Sequence, residues 1–132
     1  MKIYIASRFT PNRKVVLEMS KKLTNIGIEC VQTWPLESAD CSRIDAAKRD
    51  LREIKSADTL VLYTHGCETV PGGMHFEAGY AVAKRKKFVV IGPRVHIFCD
   101  LADEFYETFE DYFLHMDALT YDTREGGRRT VL

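Results

Sequence analysis

The sequence predicts an α/β fold, a doubly wound, flavodoxin- or Rossmann-like sheet of five parallel strands with helices on both faces. Three observations point to it. Short apolar runs alternate along the chain with amphipathic helical segments, the pattern of βαβ units. Two of these runs, Thr59-Leu60-Val61-Leu62-Tyr63 and Phe88-Val89-Val90-Ile91, are apolar throughout, as central parallel strands covered on both faces must be. The length of 132 residues suits one sheet-based core, so residues 1–132 read as a single domain.

Taken in order, residues 3–6 (Ile-Tyr-Ile-Ala) form the first strand. Thr10 can cap a helix that begins at Pro11, a position where the missing proline N–H costs nothing. Val15, Val16, Met19, Leu23 and Ile26 then recur at helical spacing, and Gly27 suits a left-handed stop. Residues 28–32 read as a second strand and residues 33–41, with Trp34-Pro35, as a loop. Ser42 followed by Asp45 resembles a helix-starting box, and Ile44, Ala47, Leu51 and Ile54 mark the apolar stripe of the helix that follows. Between the two central strands, residues 74–86 read as a helix, with Ala78, Gly79, Ala81 and Ala83 allowing close packing on the sheet. A last short strand is expected at residues 104–106, then a helix capped by Thr108 and running to about His115. The tail, residues 120–132, carries Gly126-Gly127 and Arg128-Arg129 and reads as loose or used in a subunit contact.

Composition removes several classes of function. Nineteen basic and nineteen acidic side chains cancel, so no bulk positive field favours a nucleic acid polymer or a membrane surface, and any anion must be held locally. No apolar stretch approaches the ~20 residues of a membrane span. The N-terminus lacks the layout of a signal peptide, and Cys30, Cys41, Cys67 and Cys99 are scattered without a CxxC pair, as expected of reduced thiols in a cytoplasmic protein.

In a doubly wound sheet, ligands sit at the carboxyl ends of the strands near the switch point, here the loops at residues 7–10, 64–73 and 92–96. The second is the most informative. It ends in Pro71-Gly72-Gly73 and opens a helix whose first turn carries His75 and Glu77. The glycines let a ligand approach the backbone, and the helix start favours an anion. Glu77 alone also fits a simpler part, a first-turn acid complementing the helix dipole. Asp50 is the natural second carboxylate, lying roughly 80° from the centre of its helix's apolar stripe at 100° per residue, whereas Glu53 is expected on the solvated side. A surface Asp50 paired with Arg49 or Lys48 is the plain alternative. His75-Phe76-Glu77 matches half of the zinc deaminase signature, but no Pro-Cys-x-x-Cys follows, so no metal site is expected. There is no Walker loop, GxGxxG or Gly-x-Ser-x-Gly.

Three segments together, KIYIASRF, RDLREIKSADTLVLY and GGMHFEAGYAVAKRKKFVVIGP, resemble the nucleoside 2-deoxyribosyltransferase family, which includes hydrolases of deoxynucleoside 5′-monophosphates. The resemblance covers about residues 2–115. It implies that Glu77, in Glu77-Ala78-Gly79-Tyr80-Ala81, is the nucleophile that forms a covalent glycosyl-enzyme intermediate and that Asp50 is its supporting acid. It also implies that Tyr4 lies near the sugar and that Ser7 and Arg8 lie beside the base or phosphate. About six residues before the nucleophile the family places an Asp or Ser at the sugar 5′ position; here that register holds Pro71, followed by Gly72-Gly73, and His75 is available to take over the contact. The implied reaction needs no metal or organic cofactor, and its partner is a small nucleoside or nucleotide.

Two rival readings stay open. A ribonucleotide phosphoribohydrolase would share Pro71-Gly72-Gly73, but Glu77 falls two positions early for its motif. A nucleotide-binding sensor on the same fold would keep the loop and lose the chemistry. The resemblance also implies a homo-oligomer, and the aromatic residues Phe105, Tyr106, Phe109, Tyr112 and Phe113 read either as apolar surface for that contact or as core.

Overall fold

The computed structural model describes residues 1–67 and 72–124. Five parallel strands, β1 (Lys2–Ala6), β2 (Glu29–Cys30), β3 (Thr59–Tyr63), β4 (Lys87–Ile91) and β5 (Glu104–Tyr106), form one sheet in the order β2-β1-β3-β4-β5. This is the doubly wound arrangement the alternation predicts, with the switch point between β1 and β3. Helices α2 (Arg43–Ser56) and α3 (Gly72–Ala83) pack together on one face, and α1 (Phe9–Asn25) and α4 (Phe109–Arg124) on the other. The central strands are buried on both faces, which is why their sequences lack alternation: every residue from Ile3 to Ala6, from Leu60 to Leu62 and from Phe88 to Ile91 is in the core.

Local chemistry explains the element ends. Thr10 is extended, with φ −106° and ψ 119°, so the regular turns of α1 begin at Pro11 although the helix is bounded from Phe9. Gly27 has φ 89°, as a left-handed stop requires. Ser42 caps α2 by accepting from the Asp45 N–H at 3.2 Å, and Thr108 accepts from Asp111 N–H at 3.1 Å at the start of α4.

Several expectations change. Strand β2 is only two residues long, because side chains take over beyond it: Gln32 Oε1 accepts from Ile5 N–H at 3.0 Å, and the Trp34 indole N–H donates to Ile5 O at 2.7 Å. The main chain is thereby released into a short 3-10 turn, Trp34–Leu36, where a plain loop was expected. On α1, Val15 is exposed while Val16, Met19 and Leu23 are buried. Helix α4 continues to Arg124, well past His115. Of the aromatic residues near it, Phe109 and Tyr112 are core and Tyr106 and Phe113 pack against the core, leaving Phe105 exposed. The expected loose tail falls largely on residues 125–132, outside the described residues.

The largest change concerns α2. Ile44 and Ala47, expected in its buried stripe, are exposed, and only Ile54 is fully buried, with Leu51 partly so. The half-buried positions are instead Ala46, Arg49, Asp50 and Glu53, which share a face at spacings of three and four. The helix turns polar side chains inward at its middle because that face borders a cleft instead of the core.

Candidate active site

The cleft lies at the carboxyl ends of the strands and has a volume of about 460 Å³. Its walls are Ser7, Arg8, Phe9 and Thr10 after β1, Trp34 and Glu37 after β2, Asp50 from α2, and Gly73, Met74 and Glu77 from α3. The segments after β1 and β2 thus meet helices α2 and α3 at one site.

Tyr4 places the central acid. Its ring is fully buried in β1, and its hydroxyl donates a short hydrogen bond to Glu77 Oε2. Burial pushes the Glu77 carboxyl up to about 7; the Tyr4 bond pulls it down, Asp50 pushes it up, and Arg49 pulls it down. The Tyr4 hydroxyl is itself held above its ordinary range, first by burial and then by Glu77. Asp50 is raised by burial as well, against the opposing bonds from Arg49. Two carboxyl groups thus share one cleft, each with its ionisation opposed by burial.

Ser7 ends β1 with its side chain committed. Its hydroxyl donates to Tyr63 O at 2.7 Å and accepts from Asn12 Nδ2 at 2.9 Å. Asn12, which sequence reasoning passed over, is buried and also donates to His65 O at 2.7 Å, so it ties the loop after β1 to the loop after β3. An Asn in the first turn of a helix ordinarily reads as a surface residue, and nothing local marks it otherwise. Arg8 sits half-buried at the start of α1 with its backbone extended. Gly73 lines the cleft and Gly72 does not; among the described residues a Cβ at either would meet no atom within 4 Å.

Trp34 and Glu37 were also missed. Trp34 is buried, anchored by its bond to Ile5, and stands 6.2 Å from the ring of Phe9, giving the cleft an aromatic wall. The only sequence signal was a tryptophan in a stretch otherwise read as loop. Glu53 is not solvated as expected: it accepts from Thr33 N–H at 3.1 Å and from the Thr33 hydroxyl at 2.7 Å, holding the turn to α2.

His75 is not brought to the cleft. It lies two residues from Glu77, close to the opposite side of α3, and faces an apolar groove of about 390 Å³ with Leu62, Val82, Phe98 and Leu101. Its ring is 5.3 Å from His96, and burial, then His96, lower its pKa. The loop after β4 borders a separate surface hollow with Phe105 and Glu107. Residues 68–71, including Pro71 of the expected 5′ register, lie outside the described residues. Among the described residues no group of three or more His, Cys, Asp and Glu side chains could hold a metal ion, and no helix is long and apolar enough to cross a membrane.

Among solved structures, the chain superposes on the CMP N-glycosidase BcmB of Clostridium botulinum with a TM-score of 0.66 at 19% identity, covering 90% of this chain and 99% of that one. It superposes on a 2-desoxiribosyltransferase from Leishmania mexicana with a TM-score of 0.70 at 14% identity, covering 89% of this chain and 97% of that one. Their fold is the fold of this chain. A deoxyribosyltransferase and an N-glycosidase are also the two kinds of protein the sequence resemblance names. No family model and no curated protein matches the sequence.

Proposed function

We propose that this protein is an enzyme of the nucleoside 2-deoxyribosyltransferase family that cleaves or transfers the N-glycosidic bond of a deoxynucleoside or deoxynucleoside 5′-monophosphate. The observation that carries the reading is Glu77, half-buried, bonded to Tyr4 and sharing a cleft with Asp50. Glu77 attacks the anomeric carbon, and the C–N bond breaks with its electron pair passing to the base nitrogen. Asp50 gives its proton to the departing base. Water or a second base then takes the sugar from Glu77. Trp34 and Phe9 supply an apolar aromatic wall for a base, and Arg8 is a cation lining the cleft that suits a phosphate.

The test is chromatography of deoxynucleosides and their 5′-monophosphates incubated with the protein, each with and without a second free base. Base release without an acceptor makes it a hydrolase; a new nucleoside formed only with the acceptor makes it a transferase. Glu77→Ala is expected to lower either activity by at least about 10³-fold, and Asp50→Asn by about 10²–10⁴-fold. Binding of a nucleotide with no turnover across the panel would replace this reading with that of a sensor.

We also propose a homo-oligomer. Helix α3 carries only His75 and Glu77 as titratable side chains besides Tyr80, and its outward positions include Gly72, Phe76, Gly79 and Val82. A helix apolar on nearly all sides is ordinarily covered.

A further inference from the structure

Asp50 is held by one of its two carboxylate oxygens. Oδ1 accepts from both Nε and Nη2 of Arg49, at 3.1 and 2.8 Å, and these are the hydrogen bonds Asp50 accepts among the described residues. Neighbours in a helix point about 100° apart, so the Arg49 side chain must fold across its own helix to make this fork. What it reaches toward is Glu37: the same Nη2 donates to Glu37 Oε1 at 2.9 Å. Glu37 follows the Trp34–Leu36 turn, itself fixed by the Trp34–Ile5 bond, and lines the cleft beside Asp50. Glu53 stands 3.9 Å from Arg49 Nε on the far side and is pinned by Thr33. One guanidinium is thus clasped by three carboxylates from two elements, and side-chain exposure of 21% for Arg49 and 30% for Glu37 places the clasp partly out of solvent.

We propose that Arg49, clamped by Glu37, is a positioning residue that fixes Asp50 through Oδ1 and so presents Oδ2 to the base that leaves. The proposal rests on the N-glycosidic reading above. Glu37 has two parts in it. It anchors the guanidinium, and its negative charge offsets the cost of placing a cation beside a group that must hold a proton. The charged and titratable groups around Asp50 are Arg49 and Glu53 on its own helix, Glu37 after the turn, Tyr4 on β1 and Glu77 on α3. Of these, Arg49 favours the ionised Asp50 and Glu37 disfavours it, with burial the larger influence. In the step itself, the Asp50 proton moves to the base nitrogen that receives the C–N electron pair. The water that later displaces Glu77 from the sugar returns a proton to Asp50.

The experiment compares two deoxynucleoside substrates. One carries an unmodified purine, which needs a proton to leave. The other carries an N7-methylated purine, whose positive charge lets it leave neutral without one. In Arg49→Met, release of the unmodified base is expected to fall about 10- to 100-fold, while release of the methylated base stays within about threefold. The Asp50 carboxyl, followed by carbon-13 NMR, is expected to titrate at higher pH in Arg49→Met and at lower pH in Glu37→Gln. Equal losses on both substrates, or an Asp50 titration unmoved by either substitution, would overturn the positioning role. Glu37→Gln carries the same comparison should Arg49→Met fail to fold. Wild-type silence toward both substrates would instead overturn the N-glycosidic reading itself, so the two failures are told apart.

Discussion

The Tyr4 hydroxyl on β1 donates to Glu77 Oε2 on α3, joining the strand beside the centre of the sheet to the helix that carries an acid of the cleft. The bond works against the burial that raises Glu77, because it favours the ionised carboxylate. Tyr4→Phe removes that support. The pH at which Glu77 loses its proton is expected to rise by about one to two pH units, the worth of a hydrogen bond to a charged group. The pH profile of base release should move upward with it, so the variant is most impaired at low pH. A profile that keeps its midpoint would show that the bond does not govern Glu77.

Stability follows the same carboxyl. Folded Glu77 titrates at about 7 against an ordinary 4.5, so the folded chain holds a proton that the unfolded chain has already released between those values. That contribution is fully present below the ordinary value and is lost as pH rises toward 7. Urea unfolding of the wild type is therefore expected to show stability declining across this window on account of Glu77. Glu77→Gln, which cannot ionise, should flatten the decline and be the more stable of the two at pH 8.

Gly92, just after β4, has φ 111°, and a Cβ there would lie 2.6 Å from Thr64 Oγ1 and 3.1 Å from the His65 backbone N. Thr64 is fully buried and its hydroxyl donates to Pro93 O at 2.6 Å, so it has no room to withdraw. Gly92→Ala is expected to cost at least about 2 kcal/mol in urea unfolding. A loss under about 0.5 kcal/mol would mean the loop after β4 can be rebuilt cheaply.

Phe76 on α3 is 68% exposed, and Phe98 and Leu101 of the 3-10 helix Ile97–Leu101 are 58% and 59% exposed. Light scattering at micromolar concentration is expected to give a multiple of the 15.1 kDa chain mass, and Phe76→Asp to return the monomer. A monomeric wild type would remove the reason for so apolar a helix to lie uncovered.

The sheet was legible because its chemistry is local. Apolar runs without alternation mark the central strands, and Ser42, Thr108 and Gly27 mark helix ends, by interactions spanning only a few residues. Glu77, Asp50 and Tyr4 were legible through the resemblance, and they do converge on one neighbourhood. What failed was the rotation of α2, where apolar side chains were assumed to point inward. Arg49, Asp50 and Glu53 point inward because their partners, Glu37 and Thr33, arrive from a turn more than ten residues earlier. Asn12 and Trp34 were missed for the same reason: each is defined by bonds to distant backbone carbonyls that no local pattern announces. His75 lies away from the cleft because a helix sends residues two apart to nearly opposite sides.

The bonds that shorten β2 have an effect beyond the cleft. In a parallel strand the N–H and C=O of one residue point the same way, and for Ile5 that way is outward, past the end of β2. Gln32 takes its N–H and Trp34 its C=O, while Val31 N–H takes Ile3 O at 2.8 Å. At Ile3 and Ile5 the backbone groups that face this margin are therefore taken, and a stray strand from another chain could not pair there. Trp34, which lines the cleft, thereby also closes part of the β1 margin to edge-to-edge pairing.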